Sequence, residues 1–161
     1  GKKVHPNDLK RVVRALEIYH ITGKPMSEYR QDLQRADIPY NLTIIGLTMD
    51  RQKLYERINS RVDSMVDMGL IGEVQSLLDM GYEKDLISMQ GLGYKEIVDY
   101  LEGNTTLEEA LKILKRDTRR FAKRQYTWFR KDKRINWVDK GEFDSNKGLY
   151  EYIGNIIPYQ V

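Results

Sequence analysis

The sequence predicts an α/β fragment, mostly α-helical, with two short strands that belong to a larger sheet. Apolar residues recur at helical spacing through most of the 161 residues. Two short runs break that pattern, Leu42–Leu47 and Ile135–Val138, and the first is rich in β-branched residues. A pair of strands does not make an independent sheet, so the pattern implies strand partners outside these residues.

Taken in order, Asn7 is placed to cap a first helix over Asp8 to Ile21, where Leu9, Val12, Val13, Leu16 and Tyr19/His20 recur at helical spacing. Gly23 and Pro25 stop it. Residues 24–41 are polar and bounded by prolines, which predicts a loop with one short helix. Leu42–Leu47 carries the signature of a buried strand in a parallel sheet covered on both faces. Asp50 then caps a helix bearing Leu54, Ile58, Arg61/Val62, Met65 and Met68, which ends at Gly69. A further helix runs from Leu70 to Met80 and stops at Gly81. Residues 82–95 form a loop with two glycines two apart, leading into a short helix around Glu96 to Leu101. Thr106 and Glu109 have the spacing of a capping box opening the longest helix, which runs to about Arg130. Ile135–Val138 is the second strand and Leu149 to Ile157 a closing helix.

Composition narrows the function. The chain is 40% hydrophobic and 32% charged, enough apolar material for one core of ordinary size or part of a larger one. With no cysteines and two distant histidines, disulfides and thiolate metal sites are excluded and a zinc site is poorly supported. No apolar run approaches the ~20 residues of a membrane span, and Gly1-Lys2-Lys3-Val4 lacks a signal-peptide core, so the expectation is a cytoplasmic protein. The missing initiator Met suggests a chain that starts inside a longer protein.

Net charge is +3, yet residues 112–134 hold eleven Lys/Arg against Asp117 and Asp132, a local +9. Such a segment is usually offered to an anionic partner, most often phosphate backbone. On a helical wheel, Leu111, Leu114, Thr118, Phe121, Gln125 and Trp128 form the stripe expected to be buried. Lys112, Lys115, Arg116, Arg119, Lys123, Tyr126 and Arg130 fall opposite. A cationic face carrying an aromatic ring suits phosphate contact and base stacking. The plainer alternative is a solvated basic face.

Four blocks carry more than periodicity: H-P-N-D-L-K-R-V-V-R-A-L-E at His5–Glu17, R-I-N-S-R-V-D-S-M-V-D-M-G-L at Arg57–Leu70, G-L-G-Y-K-E at Gly91–Glu96, and T-R-R-F-A-K-R-Q-Y-T-W-F-R at Thr118–Arg130. In order and spacing they resemble the tRNA dimethylallyltransferases. The resemblance implies residues 1–41 as the end of a helical, tRNA-gripping insertion domain and residues 42–161 as the C-terminal part of a P-loop NTPase-like core. It implies transfer of dimethylallyl from dimethylallyl diphosphate to the exocyclic amine of a flipped-out adenosine 3′ of the anticodon, with Mg²⁺ accompanying the diphosphate and the complete enzyme a monomer. By position, Lys10, Arg11 and Arg14 would touch tRNA from the first helix. Gln90, Gly91, Gly93, Tyr94 and Lys95 would line its path near the target base. Lys123, Arg124, Gln125, Tyr126, Thr127, Trp128 and Arg130 would contact its backbone. Arg57 and Arg61, one turn apart, would suit the diphosphate.

The family's G-x-x-x-x-G-K-[ST] loop and the carboxylate that follows it are not among these residues. Gly23-Lys24 is followed by Pro25 and is a helix stop. Taken alone, the chain is therefore expected to bind tRNA without catalysing transfer, with no catalytic residue and no metal ligand of its own. Two other readings stay open: a non-enzymatic basic helical RNA-binding module, and a scaffold whose basic helix docks on an acidic protein. Individual residues have plainer roles too. His5 and His20 serve as local hydrogen bonders, Asp8 and Glu17 as a helix-start charge and a salt-bridge partner, and Trp128 and Phe129 as packing. Gly91 and Gly93 permit a tight loop and backbone approach to a ligand, and Met65, Met68, Met80 and Met89 fill gaps.

Overall fold

The computed structural model describes residues 7–35 and 40–157, with the backbone alone for 32–35. The chain divides into two compact units, Gly1–Leu42 and Thr43–Val161. His5 lies outside the described residues.

The first unit packs α1 (Leu9–Thr22) against α2 (Met26–Arg35). The cap of α1 is Asp8 rather than Asn7, its carboxylate accepting from the Arg11 backbone N–H at 3.3 Å. Gly23 closes the helix in the left-handed region at φ +68°, donating to the Tyr19 carbonyl. The short helix expected within residues 24–41 is α2, which starts where the Pro25 carbonyl accepts from the Glu28 and Tyr29 N–H groups. The apolar set predicted for the inner face of α1 is not buried within this unit: Leu9, Val13, Leu16 and Tyr19 are exposed and Ile18 is covered. One ten-residue neighbour has too little surface to cover more.

The second unit places two parallel strands beside a helical body. β1 (Ile44–Thr48) pairs with β2 (Ile135–Asp139), Ile44 opposite Ile135 and Thr48 opposite Asp139. Gly46 lets this pair close: a Cβ there would sit 2.7 Å from Ile135 Cγ2 and 2.8 Å from the Trp137 ring. The expectation of a strand covered on both faces is not met by the chain itself, since every β1 residue is partly or fully exposed and Val138 alone of the paired residues is buried. With two strands present, each face of the sheet keeps open edges.

The helices follow in the predicted order. Asp50 caps α3 (Arg51–Asp67) through the N–H groups of Gln52 and Lys53, at 2.9 and 3.0 Å, and the Lys53 bond leads the effects that lower its pKa. Gly69, at φ +103°, makes the joint to α4 (Leu70–Asp79). A looped segment leads to α5 (Tyr94–Leu101), two residues ahead of the predicted start. Thr106 then opens α6 (Leu107–Phe129), accepting from the Glu109 N–H at 3.2 Å. At 23 residues α6 is about 35 Å long. A 3₁₀ turn at Lys140–Glu142 precedes α7 (Asn146–Ile156), which starts three residues before Leu149 because Ser145 caps it through the Gly148 N–H.

The core lies among α3, α4, α5 and the first half of α6: Val62, Leu70, Val74, Met89, Ile97, Val98 and Leu114. Met89 fills a core gap as the sequence suggests and Met65 packs half-buried beside it, whereas Met68 and Met80 stand exposed at helix ends. The apolar stripe of α6 is likewise buried only at its start. Leu114 is covered, but Phe121, Gln125 and Trp128 are exposed. Among the described residues no helix is long and apolar enough to cross a membrane.

Candidate nucleic-acid interface

Helix α6 spends the first part of its positive charge on its neighbours. Lys112 meets Glu109, Arg116 and Arg120 both meet Asp117, and Lys115 meets Asp63 of α3. Arg116 leads in holding the Asp117 carboxyl below the usual carboxylate range. Arg119 donates to the Asn59 carboxamide oxygen at 2.6 Å. Pairs 59–119 and 63–115 run in opposite directions along the two helices, so α3 and α6 are antiparallel. This corrects the uniform cationic face read from the wheel: Lys115 and Arg119 are half-buried struts.

Beyond Arg120 and before β2 the pairing thins, Arg134 with Asp132 at 2.7 Å being the ion pair formed there among the described residues. Among the described residues, no carboxylate forms an ion pair with Lys123, Arg124, Arg130, Lys131 or Lys133. Lys123, Arg124, Gln125, Tyr126, Thr127, Trp128 and Arg130 are all exposed. Arg130 lies over the Tyr126 ring at 5.0 Å and Arg124 over Phe121 at 5.8 Å, within the range of cation–π attraction. The packing expected of Trp128 is not found: it is 69% exposed and meets Phe129 edge-on at 4.8 Å. Thr127 is tied to its own helix through the Lys123 carbonyl.

Beside this end of α6 opens a mostly apolar cleft of about 530 Å³, floored by β1 with Ile135 and Trp137 and walled by Arg57, Gln125, Tyr126 and Phe129. Tyr126 leans edge-on to Trp137 at 5.2 Å, so it faces the strands as well as solvent. Of the two diphosphate candidates, Arg57 lines this cleft and Arg61 does not; both are exposed.

The glycine turn sits at the other end of the unit's helical body. Gly93 is the residue before α5, at φ +104°, and Gly91 accepts from the N–H groups of Tyr94 and Lys95. Met89 anchors the turn in the core. Gln90 donates its side-chain amide to the Lys84 carbonyl, and Lys84 pairs with Glu102 at 2.8 Å. That pairing raises the Lys84 pKa and lowers that of Glu102. The Tyr94 hydroxyl donates to Glu73 of α4, which pushes its own pKa up. Sequence reading missed Glu96, which among the described residues is the one buried charged side chain. Its place one turn inside a helix start, after two glycines, was the available signal.

In the first unit Lys10, Arg11 and Arg14 are exposed on α1. Arg11 pairs with Asp8 at 3.2 Å and Arg14 with Glu17 at 3.0 Å, the structural role the sequence allowed for Asp8 and Glu17. Such exposed pairs are weak and yield readily to a phosphate. Among the described residues no group of three or more His, Cys, Asp or Glu is placed to hold a metal ion.

Comparison with known proteins adds to this geometry. A family model described as IPP transferase matches residues 1–132. A tRNA dimethylallyltransferase of Acetivibrio thermocellus is 54% identical over 149 residues, covering 92% of this chain and 48% of that protein. One from Carboxydothermus hydrogenoformans is 58% identical over 142 residues, covering 88% and 45%. The chain thus spans about half the length of these relatives. Among solved structures, the tRNA isopentenylpyrophosphate transferase of Bacillus halodurans is 49% identical, with a TM-score of 0.69 over 95% of this chain and 46% of that one. A eukaryotic dimethylallyltransferase acting on tRNA is 26% identical, with a TM-score of 0.72 over 98% and 44%. With the family model matching four-fifths of its length, this chain belongs to the IPP transferase family.

Proposed function

We propose that this chain is the C-terminal half of a tRNA dimethylallyltransferase and that its share of the work is to grip the anticodon stem-loop. The observation that carries the reading is the end of α6, where Lys123, Arg124 and Arg130 stand exposed and unneutralised beside exposed aromatic rings. Uncompensated cations supply phosphate contact, and the rings supply surfaces on which unstacked bases can rest. The activity of the relatives, which are tRNA dimethylallyltransferases, supports the substrate class.

In the complete enzyme, dimethylallyl passes from its diphosphate to the exocyclic amine of an adenosine flipped out of its stack, since that amine is inaccessible within it. Arg57, on the wall of the apolar cleft, is the better placed of the two arginines to meet a diphosphate whose isoprenoid tail enters apolar surroundings. Arg61, one turn on, would serve from outside it. Lys10, Arg11 and Arg14 extend the RNA contact from α1, and Gln90 to Lys95 line the path near the target base. The chain by itself holds none of the phosphate-loop amides and carries out no transfer.

The test is binding of the chain to an anticodon stem-loop RNA and to a scrambled hairpin across a salt series. Preferential binding that weakens steeply with salt is expected, and K123A and R130A should each flatten the slope by about 0.7–0.9. Equal binding of both RNAs would leave only a basic surface, and no binding would make the chain a structural half.

A further inference from the structure

Glu96 is 3% exposed, in a unit where every other described charged side chain has access to water. Its two oxygens do different things. Oε2 accepts from the Gly93 backbone N–H at 2.9 Å. Oε1 makes no hydrogen bond and has the Lys95 ammonium 3.4 Å away as its countercharge. Arg116 of α6 and its partner Asp117 lie within electrostatic reach of this pair, Arg116 of Glu96 and Asp117 of Lys95. Lys95 is 41% exposed at its side chain, so its outer part reaches solvent while its charge is fixed from beneath.

A buried carboxylate is costly to keep, and leaving one oxygen without a hydrogen bond adds to that cost. Stability alone is served better by an apolar residue or by a fully satisfied one. What Glu96 supplies is shape. Gly93 adopts φ +104° and donates to this carboxylate, while Gly91 receives the N–H groups of Tyr94 and Lys95. The amides of Gly93, Tyr94 and Lys95 are thus spent inside the turn and are not available to a phosphate. Gly93 is buried, so the turn can offer RNA the exposed backbone at Gly91 and the half-exposed Lys95 side chain, and Glu96 holds the buried residue between them.

We infer that Glu96 is a positioning residue for RNA recognition: it locks the Gly91–Lys95 turn through the Gly93 amide and holds the Lys95 ammonium where a stem-loop meets it. The inference rests on the proposed RNA-gripping role. It makes a prediction opposite in sign to simple electrostatics. Replacing Glu96 by Gln raises the net charge by one, which by itself strengthens binding to any RNA.

The experiment measures the chain and its E96Q, E96D and E96Q/K95M variants against the anticodon stem-loop and the scrambled hairpin, each variant checked by thermal melting. E96Q should bind the stem-loop about tenfold more weakly and the hairpin no more weakly, and adding K95M should cost little more. E96D, which keeps the charge but withdraws it by one methylene, should lose preference in the same direction and stands in if E96Q fails to fold. Stem-loop preference that survives both E96Q and E96D, or a uniform tightening on both RNAs, overturns the positioning role while leaving the RNA reading intact. If the unsubstituted chain shows no preference, the RNA reading falls and the positioning role falls with it.

Discussion

Arg119 of α6 donates to the Asn59 carboxamide of α3 at 2.6 Å, and its guanidinium lies 5.9 Å from the Tyr55 ring centre. An arginine counted with the RNA-facing cations by sequence is thus a strut between two helices. R119A should cost about 1–2 kcal/mol of stability, the loss of a partly buried charged hydrogen bond. The salt slope of RNA binding should be unchanged, which thermal melting and the salt series check together. A flattened slope would return Arg119 to the RNA face.

Trp128 should behave in the opposite way. At 69% exposure, W128A should change stability by less than about 0.5 kcal/mol. If a base rests on its ring, stem-loop affinity falls by roughly 1–3 kcal/mol. Equal affinity with unchanged stability would remove Trp128 from the interface.

Leu114 is the point where α6 enters the core beside Val62, Val74 and Ile97. L114A should destabilise by about 2–5 kcal/mol, the range for emptying a well-packed aliphatic site. Urea denaturation gives the number, and a cost below about 1 kcal/mol would mean the site collapses freely.

Gly46 has no room for a side chain. G46A forces Ile135 or the Trp137 ring to move and should cost about 1–3 kcal/mol. In a W128F background the emission of Trp137 should shift, since its ring moves from the β1 backbone. An unchanged spectrum with unchanged stability would show that the contact yields without cost.

Asp132 stands in the turn into β2, where the Arg134 side chain, and then its backbone N–H, holds the carboxyl down from an ordinary 3.8 to about 2. A depressed carboxyl adds stability that is complete above its unfolded pKa and lost as pH falls through the folded one. That contribution should therefore be constant above about pH 5 and fade between about pH 4 and pH 2. Melting temperatures of the chain and of D132N should converge across that window. A constant gap down to pH 2 would show the pair does not form.

The sequence by itself determined the order of elements, since helical periodicity, the Asp50 and Thr106 caps and the Gly23 and Gly69 stops act within a few residues of one another. It also determined the family, through the four ordered blocks from His5 to Arg130. What surrounds each side chain was decided only by the tertiary structure. The wheel assigned Lys115 and Arg119 to solvent and Trp128 to the core, and the fold reversed all three. Periodicity gives the direction of a side chain about its own helix axis, whereas burial depends on which neighbour lies there and how far along it reaches. Along α6, Leu114 is covered in the core while Phe121 and Trp128 further on are exposed. Glu96 was hidden for the same reason: a glutamate near a helix start reads as a solvated cap until the helices around it close over its carboxylate.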